Sequence, residues 1–163
     1  MKCSFLYLFA ALLLIANSAE NPQRFLLLEE EKTFDPDTKY FIYNTVTGKC
    51  LKRELKNNGY TNYNTTTIGN CTDDDDSLWY IRKNHIISAA TNYCLAIVNN
   101  NNLGSKDCDK SVITAVYHQD FVIDDGTICT KAKNCLKDKN GKVGDIKNKN
   151  DYYKWTISTS LPK

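Results

Sequence analysis

The stretch Trp79–Leu95 (WYIRKNHIISAATNYCL) is repeated in outline by Phe121–Leu136 (FVIDDGTICTKAKNCL). Each copy opens on an aromatic, one residue and an isoleucine: Trp79-Tyr80-Ile81 and Phe121-Val122-Ile123. Each closes on Cys-Leu: Cys94-Leu95 and Cys135-Leu136. A third Cys-Leu lies upstream at Cys50-Leu51, and a third aromatic-x-Ile downstream at Trp155-Thr156-Ile157. The Cys-Leu pairs are 44 and 41 residues apart, the aromatics 42 and 34. A unit of that length is one supersecondary element. It cannot bury its own apolar face, so three must share one core.

Within the units the pattern is that of short strands. Tyr40-Phe41-Ile42-Tyr43 is β-prone, and Thr47-Gly48 marks a turn before Cys50. Asp125-Gly126 is a hairpin signal before Thr127-Ile128. No stretch after the leader carries an apolar stripe at helical spacing over the length of an ordinary helix. Many short strands with regular turns predict an all-β sandwich or barrel. The threefold repeat favours a closed barrel, because closure leaves no exposed sheet edge.

The chain begins as a secreted protein would. Lys2 is followed by an apolar run from Phe5 to Ala16, and small residues offer cleavage after Ser18 or Ala19. The run is too short to span a bilayer and no second one follows, so no membrane insertion is expected once residues 1–19 are removed. Residues 20–35 form an N-terminal extension, with Phe25–Leu28 reading equally as an extra strand or a helical turn. Residues 36–160 are the repeated domain. Loss of Lys2 leaves 20 basic against 19 acidic residues, a charge of +1, too small to hold nucleic acid.

Loss of Cys3 leaves six cysteines, which in an oxidising compartment imply three disulfides. The repeat chooses among the pairings. Cys50 and Cys71 fall in the first unit and Cys94 and Cys108 in the second, each pair running from the Cys-Leu strand to just before the next aromatic strand. The third unit instead has Cys129 six residues before Cys135, where the second unit has Ser88. Cys129–Cys135 is expected to staple neighbouring strands. Metal binding is not expected, since no Cys-x-x-Cys spacing occurs.

These residues resemble the ricin B-type lectin family, whose fold is a β-trefoil of three such units. Gly48-Lys49-Cys50-Leu51 matches the family's strand element. Ser77-Leu78-Trp79, Gln119-Asp120-Phe121 and Tyr153-Lys154-Trp155 are remnants of its Gln-x-Trp element. The size, leader and Asn/Lys bias are similar to those of small secreted ricin-B-like proteins of microsporidia. The resemblance implies that Trp79, Phe121 and Trp155 fill the common core, one per unit. It also implies a sugar site per unit: an Asp just after Cys-Leu, a ring near the second cysteine, and an Asn-Gln pair before the final Trp.

This chain departs from that set. The Asp position holds Lys52, Ala96 and Lys137. Asp138 follows Lys137, but strand alternation is expected to point it away. Asp76 stands for the Asn, and Gln119 is the one Gln kept. Tyr60 and Tyr63, before Cys71, could replace the missing ring or simply anchor their loop. The carbohydrate-binding set is therefore Asp76, Gln119, Tyr63 and Tyr60, a degenerate or displaced site. Asn64-Thr65-Thr66, read as a polar loop, and Asn70-Cys71-Thr72 are N-glycosylation acceptors, with Asn64 the better placed. Asp73–Asp76 reads as a solvated acidic loop, since the spacing of a calcium loop is absent.

No nucleophile-histidine-acid arrangement is visible and no cofactor is implied, so a non-enzyme is expected. The leading reading is a secreted, lectin-like protein whose partners are glycans or glycoproteins of a cell surface or extracellular coat. The alternative is a non-lectin trefoil, a coat component or protease inhibitor that binds coat or host surface proteins. A trefoil resident in the glycosylation pathway is a third reading. The ending Leu161-Pro162-Lys163, without a retention tetrapeptide, points instead to export.

Overall fold

The computed structural model describes residues 33–98, 102–108, 118–138, 143–145 and 151–163. The leader (1–19) and nearly all of the extension (20–35) lie outside the described residues. Among those described, twelve strands follow in chain order, four to a unit. The first unit holds β1 (Tyr40–Asn44), β2 (Cys50–Asn57), β3 (Asn62–Gly69) and β4 (Leu78–Arg82). The second holds β5 (His85–Ser88), β6 (Tyr93–Val98), β7 (Asn102–Asp107) and β8 (Phe121–Asp124). The third holds β9 (Thr127–Thr130), β10 (Asn134–Leu136), β11 (Val143–Asp145) and β12 (Trp155–Ser158), with one 3-10 turn at Asp151–Tyr153.

The outer strands of the units join one another. β1 pairs with β4 and β12, β4 with β5, and β8 with β9, all antiparallel. The Phe121 N–H donates to Asn84 O (2.8 Å) and the Trp155 N–H to Gly126 O (2.7 Å), the same contact in two units. The inner strands form hairpins: β2–β3, β6–β7 and β10–β11. This is the all-β, three-unit β-trefoil expected from the repeat.

The core is built in matched triplets. Leu51, Leu95 and Leu136 are fully buried, as are Ile42, Ile86 and Ile128 within 1 %. Trp79, Phe121 and Trp155 complete the core at 0 %, 2 % and 4 % exposure. Each such side chain contributes about 2–3 kcal/mol by leaving water. The tryptophans also explain the Cys-Leu…aromatic spacing. Trp79 Nε1–H donates to Leu51 O (2.9 Å) and Trp155 Nε1–H to Leu136 O (3.1 Å), each within its own unit. Phe121 has no such donor, so the second unit keeps the packing and loses the bond.

The turn before each Cys-Leu also recurs. Gly48, Asn92 and Lys133 all have positive φ (67°, 59° and 63°), each two residues before its cysteine. Glycine adopts that conformation without strain, asparagine tolerates it, and lysine resists it. Asp125 and Gly126, both at positive φ, form the expected hairpin loop before β9.

The three disulfides are Cys50–Cys71, Cys94–Cys108 and Cys129–Cys135, as the repeat indicated. One equivalence needs correction. Cys129 lies opposite Cys135 as Ile87 lies opposite Cys94, so Cys129 matches Ile87 and not Ser88. The third turn is one residue tighter. Lys133 N–H reaches Thr130 O, whereas Asn92 N–H reaches Ser88 O.

Candidate functional site

One backbone contact recurs in all three units and frames three equivalent cups. The third residue after each Cys-Leu cysteine donates its N–H to the residue three before the core aromatic. Arg53 donates to Asp76 O (2.7 Å), Ile97 to His118 O (2.9 Å), and Asp138 to Tyr152 O (3.0 Å). The side chains on that frame decide what each cup can do.

The first cup is occupied by its own ions. Arg53 Nη1 lies 3.1 Å from Asp76 Oδ1, and Arg53 Nε–H donates to Asn64 Oδ1 at 3.0 Å. Lys52 Nζ donates to Thr72 Oγ1 (2.7 Å), and that hydroxyl donates to Asp74 Oδ1 (2.8 Å). Asp74 also accepts from Asp76 N–H (3.1 Å). At the rim Lys39 Nζ meets Asp75 Oδ1 at 2.8 Å, and that bond raises the lysine above its ordinary pKa. The acidic run is a turn, exposed from Asp73 to Asp75 as expected, with hydrogen bonds within it and to Thr72. Asp76, proposed as a sugar ligand, is already held by Arg53.

Among its described residues the second cup offers no polar side chain at the two positions after Cys94-Leu95. Ala96 and Ile97 are buried at 0 % and 2 % exposure, and Ala96 faces Gly104 across the β6–β7 hairpin. A Cβ on Gly104 would come within 2.9 Å of Val98 Cγ1, so a larger residue there would have to displace the Val98 side chain. Gln119 donates Nε2–H to Asp107 O (3.0 Å), which ties it to the end of β7. It holds the frame and is not turned to a ligand.

The third cup differs from both. Tyr152 is 44 % exposed, while its carbonyl accepts from Asp138 N–H and from Asn44 Nδ2–H (2.9 Å). Asp138 Oδ2 accepts from Thr47 Oγ1, so the turn of the first unit orients this carboxylate. Asn44 anchors that turn by accepting from Val46 N–H and Thr47 N–H with Oδ1 (3.0 and 3.1 Å). Lys137 Nζ sits 5.0 Å over the ring of buried Tyr153. The cup is therefore built at a seam, with one wall from the first unit.

Asp138 lies just past β10, which ends at Leu136, and its carboxylate is bonded to Thr47. Tyr152, which the sequence pattern did not single out, lies in the 3-10 turn just before Trp155.

The tyrosines proposed as substitutes lie elsewhere. Tyr60 is 95 % exposed at the tip of the β2–β3 hairpin and anchors nothing, and Tyr63 lies in β3 opposite Lys56. Asn64 is also in β3, opposite Leu55, and half-buried, not in a loop. Asn70 is the exposed acceptor of the pair. Asp76, Tyr60 and Tyr63 belong to the first unit and Gln119 to the second, so they do not form one site.

No family model and no curated protein sequence matches the chain. Solved structures do. The β-trefoil lectin of the Vibrio vulnificus hemolysin/cytolysin, with N-acetyl-D-lactosamine bound, superposes at TM-score 0.60 and 13% identity. It covers 77% of this chain and 97% of that one. The C-half of the earthworm R-type lectin, in complex with GalNAc, gives 0.55 at 12% identity, over 74% of this chain and 98% of that one. The BEL β-trefoil gives 0.59 at 16%, over 77% and 94%. At such identities the likeness is one of fold: the chain folds as these β-trefoil lectins do.

Proposed function

We propose that this protein is a secreted carbohydrate-binding protein, and that it binds through the third cup alone. The observation that carries this reading is the exposed Tyr152 on the backbone frame that also holds Asp138, whose carboxylate is oriented by Thr47. A pyranose offers an apolar face and a rim of hydroxyls, so a ring with an oriented acceptor is the least that can read it. In the first cup Asp76 is paired with Arg53, and in the second the corresponding Ala96 and Ile97 are buried and apolar. The protein is then a monovalent binder without catalytic machinery, and its affinity is modest unless several copies are arrayed. The likeness in fold to sugar-binding trefoils supports the reading, and the three disulfides support an oxidising destination at a cell surface or coat.

The test is a glycan array probed with the wild type and with Tyr152→Ala. Binding that disappears in the variant, with unchanged melting temperature, supports the reading. Binding that survives in Tyr152→Ala moves the site elsewhere, and silence on all glycans rejects lectin activity.

One feature favours a second reading, a trefoil that docks on a protein. The β2–β3 hairpin presents Tyr60 at 95 % exposure on a tip fixed by its own amides. Asn57 Oδ1 accepts from Gly59 N–H (2.6 Å), and Asn58 Oδ1 from Tyr60 N–H and Thr61 N–H (3.0 and 2.9 Å). A rigid, projecting tyrosine is a common anchor in protein interfaces. Loss of coat or host protein binding in Tyr60→Ala, with no glycan bound by wild type, would favour it.

A further inference from the structure

We propose that the third cup selects acidic saccharides, those carrying a carboxylate or a sulfate, over their neutral counterparts. The inference rests on the reading of this cup as the sugar site and adds the class of ligand. The argument starts from Lys137. It occupies the position after Cys135-Leu136 at which the resembled family is expected to place its hydroxyl-accepting Asp. An ammonium only donates, so the group it meets must be an acceptor, and an anionic acceptor gains most.

The ammonium is held in place. Its Nζ lies 5.0 Å over Tyr153, a ring only 3 % exposed, and Lys137 itself is half-buried. Tyr153 stands two residues before Trp155, where the family would have Gln. Two departures from the family pattern therefore meet each other. A cation–π contact orients an ammonium without neutralising it.

Its surroundings leave the charge available. Among the described residues no carboxylate lies within ion-pair distance of Lys137 Nζ. The adjacent carboxylate, Asp138, is turned to Thr47. Lys52, the equivalent lysine of the first cup, donates to Thr72 beside the Asp73–Asp76 run. There the ammonium is already bonded to a hydroxyl that donates on to the Asp74 carboxylate. Selection for acid is thus assigned to the third cup and not to the first. Asp138 remains as an acceptor for a sugar hydroxyl, and Tyr152 as the stacking ring.

The test uses the intact protein and matched probes. For the carboxylate source, trigalacturonate is compared with galactotriose. For the sulfate source, 6-sulfo-N-acetyllactosamine is compared with N-acetyllactosamine. Calorimetry at 50 mM salt is expected to favour at least one acidic member about tenfold, the scale of one charge-assisted bond, and the margin should shrink at 500 mM. Lys137→Gln is expected to bring the ratio of acidic to neutral affinity to about one. Lys137→Arg should restore the preference, and Lys52→Gln should leave it unchanged. Equal affinity for acidic and neutral members overturns this inference while sugar binding stands. Preference lost in Lys52→Gln and kept in Lys137→Gln overturns its placement. No binding to any of the four probes, nor to any glycan on the array, rejects the sugar site and this inference together.

Discussion

In the first unit Arg53 bonds to the backbone of Asp76 and then lays its guanidinium on the same residue's carboxylate and on Asn64. In the third, Asp138 makes the same backbone bond to Tyr152 but turns its side chain to Thr47, and the ring stays in solvent. The frame is common to both and the outcome is opposite. Where the two framing residues carry complementary charges they pair with each other. Where one is acidic and the other a tyrosine, no such pair is available, and the acid bonds to Thr47 instead. Threefold symmetry therefore supplies positions, and only side-chain pairing decides which position is open.

The comparison can be broken at the staples first. Cys50–Cys71 closes a separation of 21 residues and Cys129–Cys135 one of 6. Loop-closure entropy makes the first worth about 3 kcal/mol and the second about 2. Urea unfolding of the two Cys→Ser pairs should show that order, and the reverse order would mean that the crosslinks act through local strand geometry. Next come the indoles. Trp79→Phe and Trp155→Phe each leave a buried leucine carbonyl without its donor and should cost about 1–3 kcal/mol by the same measurement. A unit that loses only tenths has a carbonyl that water can reach.

The cups themselves are sharpened by a matched pair. Tyr152→Ala should weaken glycan binding about tenfold, about 1.4 kcal/mol, in calorimetry, whereas Asp76→Ala should leave it unmoved. Matching losses would mean that both cups are open. The second unit serves as reference for an imperfect repeat. Ser88 Oγ is buried and has no hydrogen-bond partner among the described residues, whereas its counterparts Asn44 and Thr130 are bonded. Ser88→Ala should therefore be neutral or stabilising by up to about 1 kcal/mol in thermal unfolding.

The smallest effect lies at the entry to β1. Asp35 accepts from Asp37 N–H and Thr38 Oγ1, and these bonds hold its carboxyl below the ordinary value. Its folded pKa is lower than its unfolded one. Its contribution is therefore present above the ordinary carboxylate range and is lost as pH falls through the folded value. Asp35→Asn should slightly flatten the acid limb of a pH–melting curve. An unchanged limb would leave these bonds without weight.

The trefoil was legible because its determinants are large, buried and periodic. Trp79, Phe121, Trp155 and the Cys-Leu pairs announce three units that share a core, and the cysteine pairing follows from the same period. The site was less legible because it depends on where short strands stop. Alternation does not govern Asp138, since β10 is three residues long and the rule ends with the strand. Tyr152 escaped because its exposure is set by a 3-10 turn and by Asn44, 108 residues distant in the chain. Asp76 and Gln119 stand at plausible positions, yet nothing in a linear pattern reveals that Arg53 and the Asp107 carbonyl have claimed them. The Asn64 sequon misled similarly, because the polar run around it is strand β3.

The pairing of β1 with β12 has an engineering consequence. Phe41 lies across from Ser158, and Asn44 across from Trp155, so the first and last strands run side by side. A short peptide could tie the segment before Tyr40 to the one after Ser158, and new ends could be cut at the Asn58-Gly59 tip, far along the chain from every cup residue of the third unit. Such a rearranged chain would carry Asn44 and Thr47 just after the third unit instead of far before it, and its refolding would report whether the order of the units matters to assembly at all.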